Sequence, residues 1–350
     1  MSKDNDRASM DPAATPPADP AAAAPLVSML LIAYRQHLHV GAAIAAALVQ
    51  TYTPLEVVIS DDASDDGTWE AILAAVDGYT GAHRLILNRN PTNLGIGAHL
   101  SHLVTLSHGE LLFVAAGDDV SQPERCATVT QAWLARGRTP DLLASALLDL
   151  DGAGAVHGTI EPTDLGAYRT LTDWVHQRPF VVGAAQAWTR RVFERCGPLP
   201  QGVVAEDLIM TFRAIGAGGA ITLRDALVGY RRGGVSRRVR NLSAADVVQR
   251  LLSNNRHALI EYEQLLRDAR TLGQLPTVQP VLEAELERER FIQRLFAAPG
   301  WRAKFRLAWS AGAVAPRARC RLFAYAATPW VFAPLFWLKR RVVSRAPATA

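Results

Sequence analysis

A chain of 350 residues, 49% of them apolar, can bury one large core or two modest ones, which sets aside fibrous and wholly disordered classes. Its net charge of +4 conceals a division: twelve of the 37 Lys and Arg, and none of the 33 Asp and Glu, fall between Arg290 and Ala350. A mildly acidic body therefore carries a basic tail.

The first 25 residues, MSKDNDRASMDPAATPPADPAAAAP, hold almost nothing large to bury and are expected to be disordered. Their acidic, proline-broken start lacks the apolar run of a signal peptide. Leu26–Ala33 then reads as a buried strand, followed by an Ala-rich helix near Gly41–Gln50. Leu55–Ser60 is a second strand ending at Asp61-Asp62, with a helix from about Thr68 to Tyr79. Arg84–Asn88 is a third strand before a helix from about Gly95 to Ser107. Glu110–Ala116 is a fourth, closing on Asp118-Asp119 ahead of a helix from Gln122 to Ala135. Uniformly apolar strands separated by long helices predict a parallel sheet covered on both faces. Its ligand should sit outside the carboxyl ends of the strands, where the Tyr34, Asp61-Asp62 and Asp118-Asp119 loops converge.

Beyond Asp141 the pattern changes. Leu142–Leu150 and Ala155–Ile160 flank the turn Asp151-Gly152-Ala153-Gly154 as a hairpin. Phe180–Thr189 and Ala226–Arg231 read as strands, and a helix opens near Glu206. From about Ser243, long amphipathic helices follow, with Val247, Leu251, Ala258, Tyr262, Leu265, Ala269 and Leu272 on one face. The expected organisation is a disordered segment over 1–25, an α/β body over 26–240 and a helical region over 241–350.

Two adjacent carboxylates after a buried strand repel each other. Taken alone, Asp118-Asp119 either caps the following helix or holds a divalent cation, for which hard carboxylate oxygens suit Mg²⁺ or Mn²⁺. The literal D-x-D at Asp149-Leu150-Asp151 runs into Gly-Ala-Gly and is explained by the hairpin turn. Asp61 to Thr68 (DDASDDGT) suits an Asx/Ser turn with a helix cap, yet Asp61 at the strand tip could also accept from a nucleobase N–H. His99, His102 and His108 form no zinc pattern and read as a solvated helix face. The three cysteines, Cys126, Cys196 and Cys320, form no CxxC pair, which argues against a disulfide framework and fits a reducing cytoplasm.

VSMLLIAYR, VVISDDASDDGTWE and RNPTNLGIGAHLSHLVTLSHGELLFVAAGDD, in this order, resemble the nucleotide-sugar half of a family 2 glycosyltransferase, over roughly residues 26–235. The resemblance implies the α/β GT-A fold, a Rossmann-like mixed sheet of nucleotide-diphospho-sugar transferases, with a C-terminal helical extension. It implies that Ala33 and Tyr34 flank the base, that Asp61 bonds its edge with Asp62 as a possible sharer, and that Asp118 reaches the ribose. Asp119 would bind the Mg²⁺ or Mn²⁺ that holds the diphosphate, and Gly95 would keep the floor under the nucleotide thin. Glu206-Asp207, which on sequence alone suits a helix cap, matches the family's E-D pair, with Asp207 as the base that deprotonates an acceptor hydroxyl. Gly183-Ala184-Ala185 resembles the strand that gives the acceptor room. YRRGGVS (230–236) resembles the loop closing over the diphosphate, without its histidine; Arg231 or Arg232 could supply the cationic contact instead.

The implied activity is an inverting, metal-dependent hexosyl or deoxyhexosyl transfer from a nucleoside-diphosphate sugar to a glycan or lipid-linked acceptor. A sugar-phosphate nucleotidyltransferase lacks its glycine- and arginine-rich activating loop here. Gly95-Ile96-Gly97-Ala98-His99-Leu100 is a poor dinucleotide motif, and a catalytically inactive membrane scaffold is the reading from another class. Leu322–Leu338 is apolar for seventeen residues but is broken by Pro329 and Pro334, too short to span a bilayer. Four of eight tryptophans lie between Trp301 and Trp337 among basic residues. That composition suits peripheral contact with the inner face of the cell membrane and not a nucleic acid.

Overall fold

The computed structural model describes residues 24–231, 244–310, 312 and 314–328. The expectations for residues 1–23, for Arg232 to Ser236 and for the tail beyond Thr328 lie outside the described residues. β1 (Val27–Ala33), α1 (Val40–Leu48), β2 (Leu55–Asp61), α2 (Thr68–Val76), β3 (Arg84–Arg89), α3 (Ile96–Leu106) and β4 (Leu111–Ala116) fall where the apolar runs place them. β3, β2, β1 and β4 are neighbours in that order, all parallel. β1, β2 and β4 are almost wholly buried because helices cover both faces, which is why their sequences carry no polar alternation.

The sheet does not stay parallel. After β5 (Val120–Ser121) and α4 (Arg125–Leu134), β6 (Leu142–Leu150) and β7 (Val156–Ile160) form the expected hairpin. α5 (Leu171–His176) precedes β8 (Gln186–Thr189), which inserts antiparallel between β4 and β6. α6 (Arg190–Cys196) and α7 (Glu206–Gly216) lead to β9 (Ala220–Arg231), parallel to β6 and antiparallel to β5. The path β3-β2-β1-β4-β8-β6-β9-β5 is therefore a mixed sheet. Only four residues of the expected strand Phe180–Thr189 join it. Gly183–Ala185 instead form a 3-10 turn, and a Cβ on Gly183 would collide there with Glu206 Oε1.

The C-terminal helices are α8 (Ala244–Thr271), α9 (Leu275–Ala297), α10 (Gly300–Ser310) and α11 (Pro316–Ala327). Tyr262, Leu265 and Ala269 of α8 join one core with Met210 and Phe212 of α7 and Leu282 of α9, so α8 and α9 are built onto the sheet domain. Arg213 of α7 makes a two-pronged contact with Asp268 of α8, Nε–Oδ2 2.7 Å and Nη2–Oδ1 3.0 Å, both side chains fully buried. Two desolvated charges satisfied this completely fix the helices in one register, since removing either partner would strand the other. A smaller core of Phe291, Leu295, Ala308, Val314 and Leu322 joins α9 to α10 and α11. Among the described residues, no helix is long and apolar enough to cross a membrane.

Candidate active site

The C-terminal ends of β1 and β2 carry two loops that bind each other. Arg35 holds Asp65 with two 2.8 Å contacts, Arg35 N donates to Ser64 Oγ, Gln36 N to Thr68 Oγ1 and His37 Nδ1 lies 2.9 Å from Asp66. Most polar residues of the 61–68 loop are thus committed to holding the Tyr34 loop, which leaves Tyr34 exposed beside buried Ala33. Asp61 is fully buried: its carboxylate accepts from Ser64 N and lies 3.3 Å from Arg89 Nε. The conformation described turns Asp61 toward its own loop.

Asp62 has a different task. Its carboxylate accepts from Leu94 N, Gly95 N and Asn90 Nδ2 at 2.7–2.9 Å. Gly95 sits at φ +76°, ψ 163°, a conformation open essentially to glycine, and its Cα faces empty space. Asp62 therefore anchors the start of α3 beneath the loops. His99 is a correction to the solvated-face expectation: it is buried, with Nε2 2.7 Å from Ser60 Oγ and Nδ1 4.0 Å from Asp62. Burial pushes its pKa down to about 4, so it serves this anchor as a neutral ring. Its position one turn into α3, on the face packed against the sheet, explains the burial. Among the described residues, no cluster of three or more His, Cys, Asp or Glu could hold a metal by itself.

Asp118 and Asp119 lie between β4 and the two-residue β5. That strand pairs Val120 with Gly229 and Ser121 with Val228, which draws the end of β9 over the carboxylates. Arg231 N donates to Asp119 Oδ1 at 2.8 Å. The Arg231 guanidinium bonds the carbonyls of Asp118, Asp151 and Gly152, so here it braces the acidic loop. Asp151 itself caps the hairpin turn, accepting from Ala153 N and Ala155 N at 2.9 Å, in keeping with its reading as a turn residue. Burial raises the pKa of Asp118; burial and then the Asp118 charge push Asp119 up to about 7. Two carboxyls held together this far from water are short of positive charge. Their hard oxygens suit a divalent cation, which Asp119 would hold and whose charge would offset that deficit.

The second carboxyl centre is the first turn of α7. Asp207 Oδ1 accepts from Leu208 N at 2.8 Å, and its pKa is pushed up to about 6 by burial, with the Glu261 charge contributing. Glu206, beside the Gly183 turn, is raised well above the usual carboxylate range by burial and by Asp207. Glu261 reaches over from α8, its Oε1 accepting from Val204 N and Ala205 N at 3.0 and 2.9 Å.

Two residues missed in the sequence connect the centres. Arg125, buried under Asp119, donates to Ser121 Oγ and to the carbonyls of Val114 and Gln186. Gln186 Nε2 donates in turn to the Asp207 carbonyl at 3.2 Å and to Thr211 Oγ1 at 3.1 Å. Burial lowers the Arg125 pKa to about 10, leaving it a cation at neutral pH facing Asp119. The available signal was that Arg125 shares one helical stripe with Val129 and Trp133, both buried.

Because Glu261 holds the backbone that presents Asp207 and adds negative charge beside it, Glu261→Gln keeps an acceptor while removing the charge. The titration of the Asp207 carboxyl, followed by NMR and expected near pH 6, should move to lower pH in this variant, since less repulsion lets Asp207 ionise earlier. An unmoved titration would deny Glu261 this positioning role.

The parallel β3-β2-β1-β4 half, the mixed continuation through β8, β6 and β9 and the acidic loop after β4 define a GT-A fold with a C-terminal helical region. A mannosyltransferase from Pyrobaculum calidifontis, solved with GDP-Man and Mn²⁺, superposes with a TM-score of 0.52 at 19% identity, covering 92% of this chain and 87% of that one. S. aureus TarS 1–349, solved with UDP-GlcNAc, gives 0.50 at 17% identity, covering 91% and 92%. Residues 28–139 match the model of glycosyl transferase family 2. The putative glycosyltransferase EpsE of Bacillus subtilis is 29% identical over 139 residues, 40% of this chain and 49% of that protein. An uncharacterized protein of Mycobacterium tuberculosis is 34% identical over 94 residues, 27% of each. The match thus spans half or less of the length of these curated relatives.

Proposed function

We propose that the protein is an inverting, metal-dependent glycosyltransferase. It moves a hexosyl or deoxyhexosyl group from a nucleoside-diphosphate sugar to a hydroxyl of a glycan or lipid-linked acceptor, in cell-surface polysaccharide or lipid-linked glycan synthesis. The observation that carries this reading is the pairing of two unlike carboxyl centres through Arg125 and Gln186. One is an acidic pair, half-buried Asp118 and buried Asp119, suited to a cation, and the other a helix-end carboxyl with a raised pKa. The family match over the nucleotide half supports it, as do nucleotide sugars bound by neighbours of the same fold.

Asp119 would hold Mg²⁺ or Mn²⁺, whose charge offsets that developing on the departing diphosphate. Ala33 and Tyr34 would flank the base and Asp61 would bond its edge, Asp118 would reach the ribose, and Gly95 would keep the floor under the nucleotide thin. Asp61 would then give up its bond to Ser64 N for the base edge. Arg231, and Arg232 beyond it, would turn toward phosphate when donor binds. Asp207 accepts the proton of the acceptor hydroxyl as that oxygen bonds to the anomeric carbon. The bond from that carbon to the diphosphate oxygen breaks on the opposite side, and the anomeric configuration inverts. The basic, aromatic C-terminal helices would hold the enzyme peripherally at the inner face of the cell membrane.

A panel of nucleotide sugars, assayed with and without Mn²⁺ for release of nucleoside diphosphate, tests the reading. Metal-stimulated turnover of one or a few donors is expected; no turnover of any donor, with no nucleotide binding, would refute it.

A further inference from the structure

The sequence reading assigns peripheral membrane contact to the basic, tryptophan-rich region from Trp301 onward, and α10 is the described element that begins it. On α10, Trp301, Phe305 and Trp309 recur every fourth residue and are 62%, 42% and 57% exposed. Phe305 stacks on Trp309 at 4.3 Å between ring centroids, and Phe323 of α11 packs edge-on against both. Even with Phe323 against two of them, these large rings stay exposed in a row and form an apolar surface.

The charge beside that row decides what it fits. Arg302 and Arg306 lie one residue on from Trp301 and Phe305, so aromatic and basic stripes share roughly 140° of the helix circumference at about 100° per residue. Arg302 also lies over the Trp301 ring at 5.6 Å. Arg302, Arg306, Arg317 and Arg321 are all exposed, and no described carboxylate lies within ion-pair distance of any of them. Lys304 and Arg319 are spent otherwise, on the carbonyls ending α9 and α10. Along the same helix, Phe305, Leu307 and Trp309 line a groove of about 1010 Å³ with Ala297 and Pro299, and Arg294 and Arg306 are among its walls.

We propose that α10, with the adjoining start of α11, is the surface by which this protein docks on an anionic lipid bilayer. The rings of Trp301, Phe305 and Trp309 enter the interfacial layer, and the groove receives part of an acyl chain. Arg302, Arg306, Arg317 and Arg321 meet the lipid phosphates. Rings at headgroup depth, flanked by unpaired guanidinium groups, are the combination a charged membrane surface rewards. An acidic protein partner would satisfy the arginines but has no need of three exposed aromatic side chains one turn apart. This deepens the peripheral-membrane part of the proposed function and does not depend on the chemistry at Asp119 and Asp207.

Flotation of the full chain with vesicles tests it, using phosphatidylcholine alone and phosphatidylcholine mixed with phosphatidylglycerol. Binding to the anionic vesicles only, weakening as salt is raised, is expected. Trp301→Ser/Trp309→Ser and Arg302→Glu/Arg306→Glu should each lower the partition coefficient by about tenfold or more. Circular dichroism and donor turnover in detergent should remain as in the unsubstituted protein. Absence of flotation, or flotation that survives both double substitutions, would overturn the proposal. So would a concentration-dependent dimer in analytical ultracentrifugation that the tryptophan substitutions abolish, which would assign the stripe to a second copy of the chain. Donor turnover is read separately, so failure of lipid binding and failure of the glycosyltransferase reading are distinguishable.

Discussion

Asp207→Asn should lower kcat for glycosyl transfer by about 10²–10⁴-fold while leaving KM for the donor nearly unchanged. Asparagine has the same shape and retains an oxygen to accept from Leu208 N, so the start of α7 should persist. What disappears is the ability to take a proton. Burial holds the Asp207 pKa near 6, above the ordinary carboxylate value, which makes it a better proton acceptor than a solvated aspartate and still largely ionised at neutral pH. Activity should accordingly fall as pH drops through about 6. Steady-state kinetics with a saturating acceptor checks this, and an unchanged kcat would remove Asp207 from the chemistry. Glu206 is raised further by burial and by Asp207, so it reaches its charged form later and is the weaker candidate.

Asp119→Ala should reduce metal-stimulated transfer by about 10³-fold, the order expected when a cation that stabilises several kcal/mol of developing charge is lost. Added Mn²⁺ should not restore it. The variant should remain folded, because removing one of two adjacent, repelling carboxylates relieves a cost even as the bond to Arg231 N and the charge facing Arg125 are lost. Measuring kcat/KM across a Mn²⁺ series, alongside a thermal melt, separates the two contributions. Full activity with unaltered metal dependence would show that Asp119 does not carry the ion.

The first half of the fold was legible because its strands obey one rule. β1, β2 and β4 are covered on both faces, so they read as uninterrupted apolar runs, each stopped by a polar loop, those after β2 and β4 holding Asp and Gly. β5 was invisible for the opposite reason: two residues, Val120 and Ser121, form a strand only because β9 returns beside them much later in the chain. The apolar run at 180–189 concealed a turn, since nothing local in the sequence reveals that the Glu206 carboxyl occupies the space above Gly183. The acidic pairs Asp118-Asp119 and Glu206-Asp207 were readable as pairs, but their supports were not. Neither Arg125 nor Glu261 stands out in the sequence, Glu261 being one of many charges on an amphipathic helix. Both acquire meaning from elements that meet only in three dimensions. The same limit explains Asp61, whose strand-tip position was legible while its bonds to Ser64 N and proximity to Arg89 were not.

Calorimetric titration of UDP and GDP into the protein, with and without Mn²⁺, tests the central claim most directly. The account predicts binding of at least one of the two that tightens when Mn²⁺ is present and loses that enhancement in Asp119→Ala. Affinity indifferent to the metal, or an enhancement that persists in the variant, would contradict it.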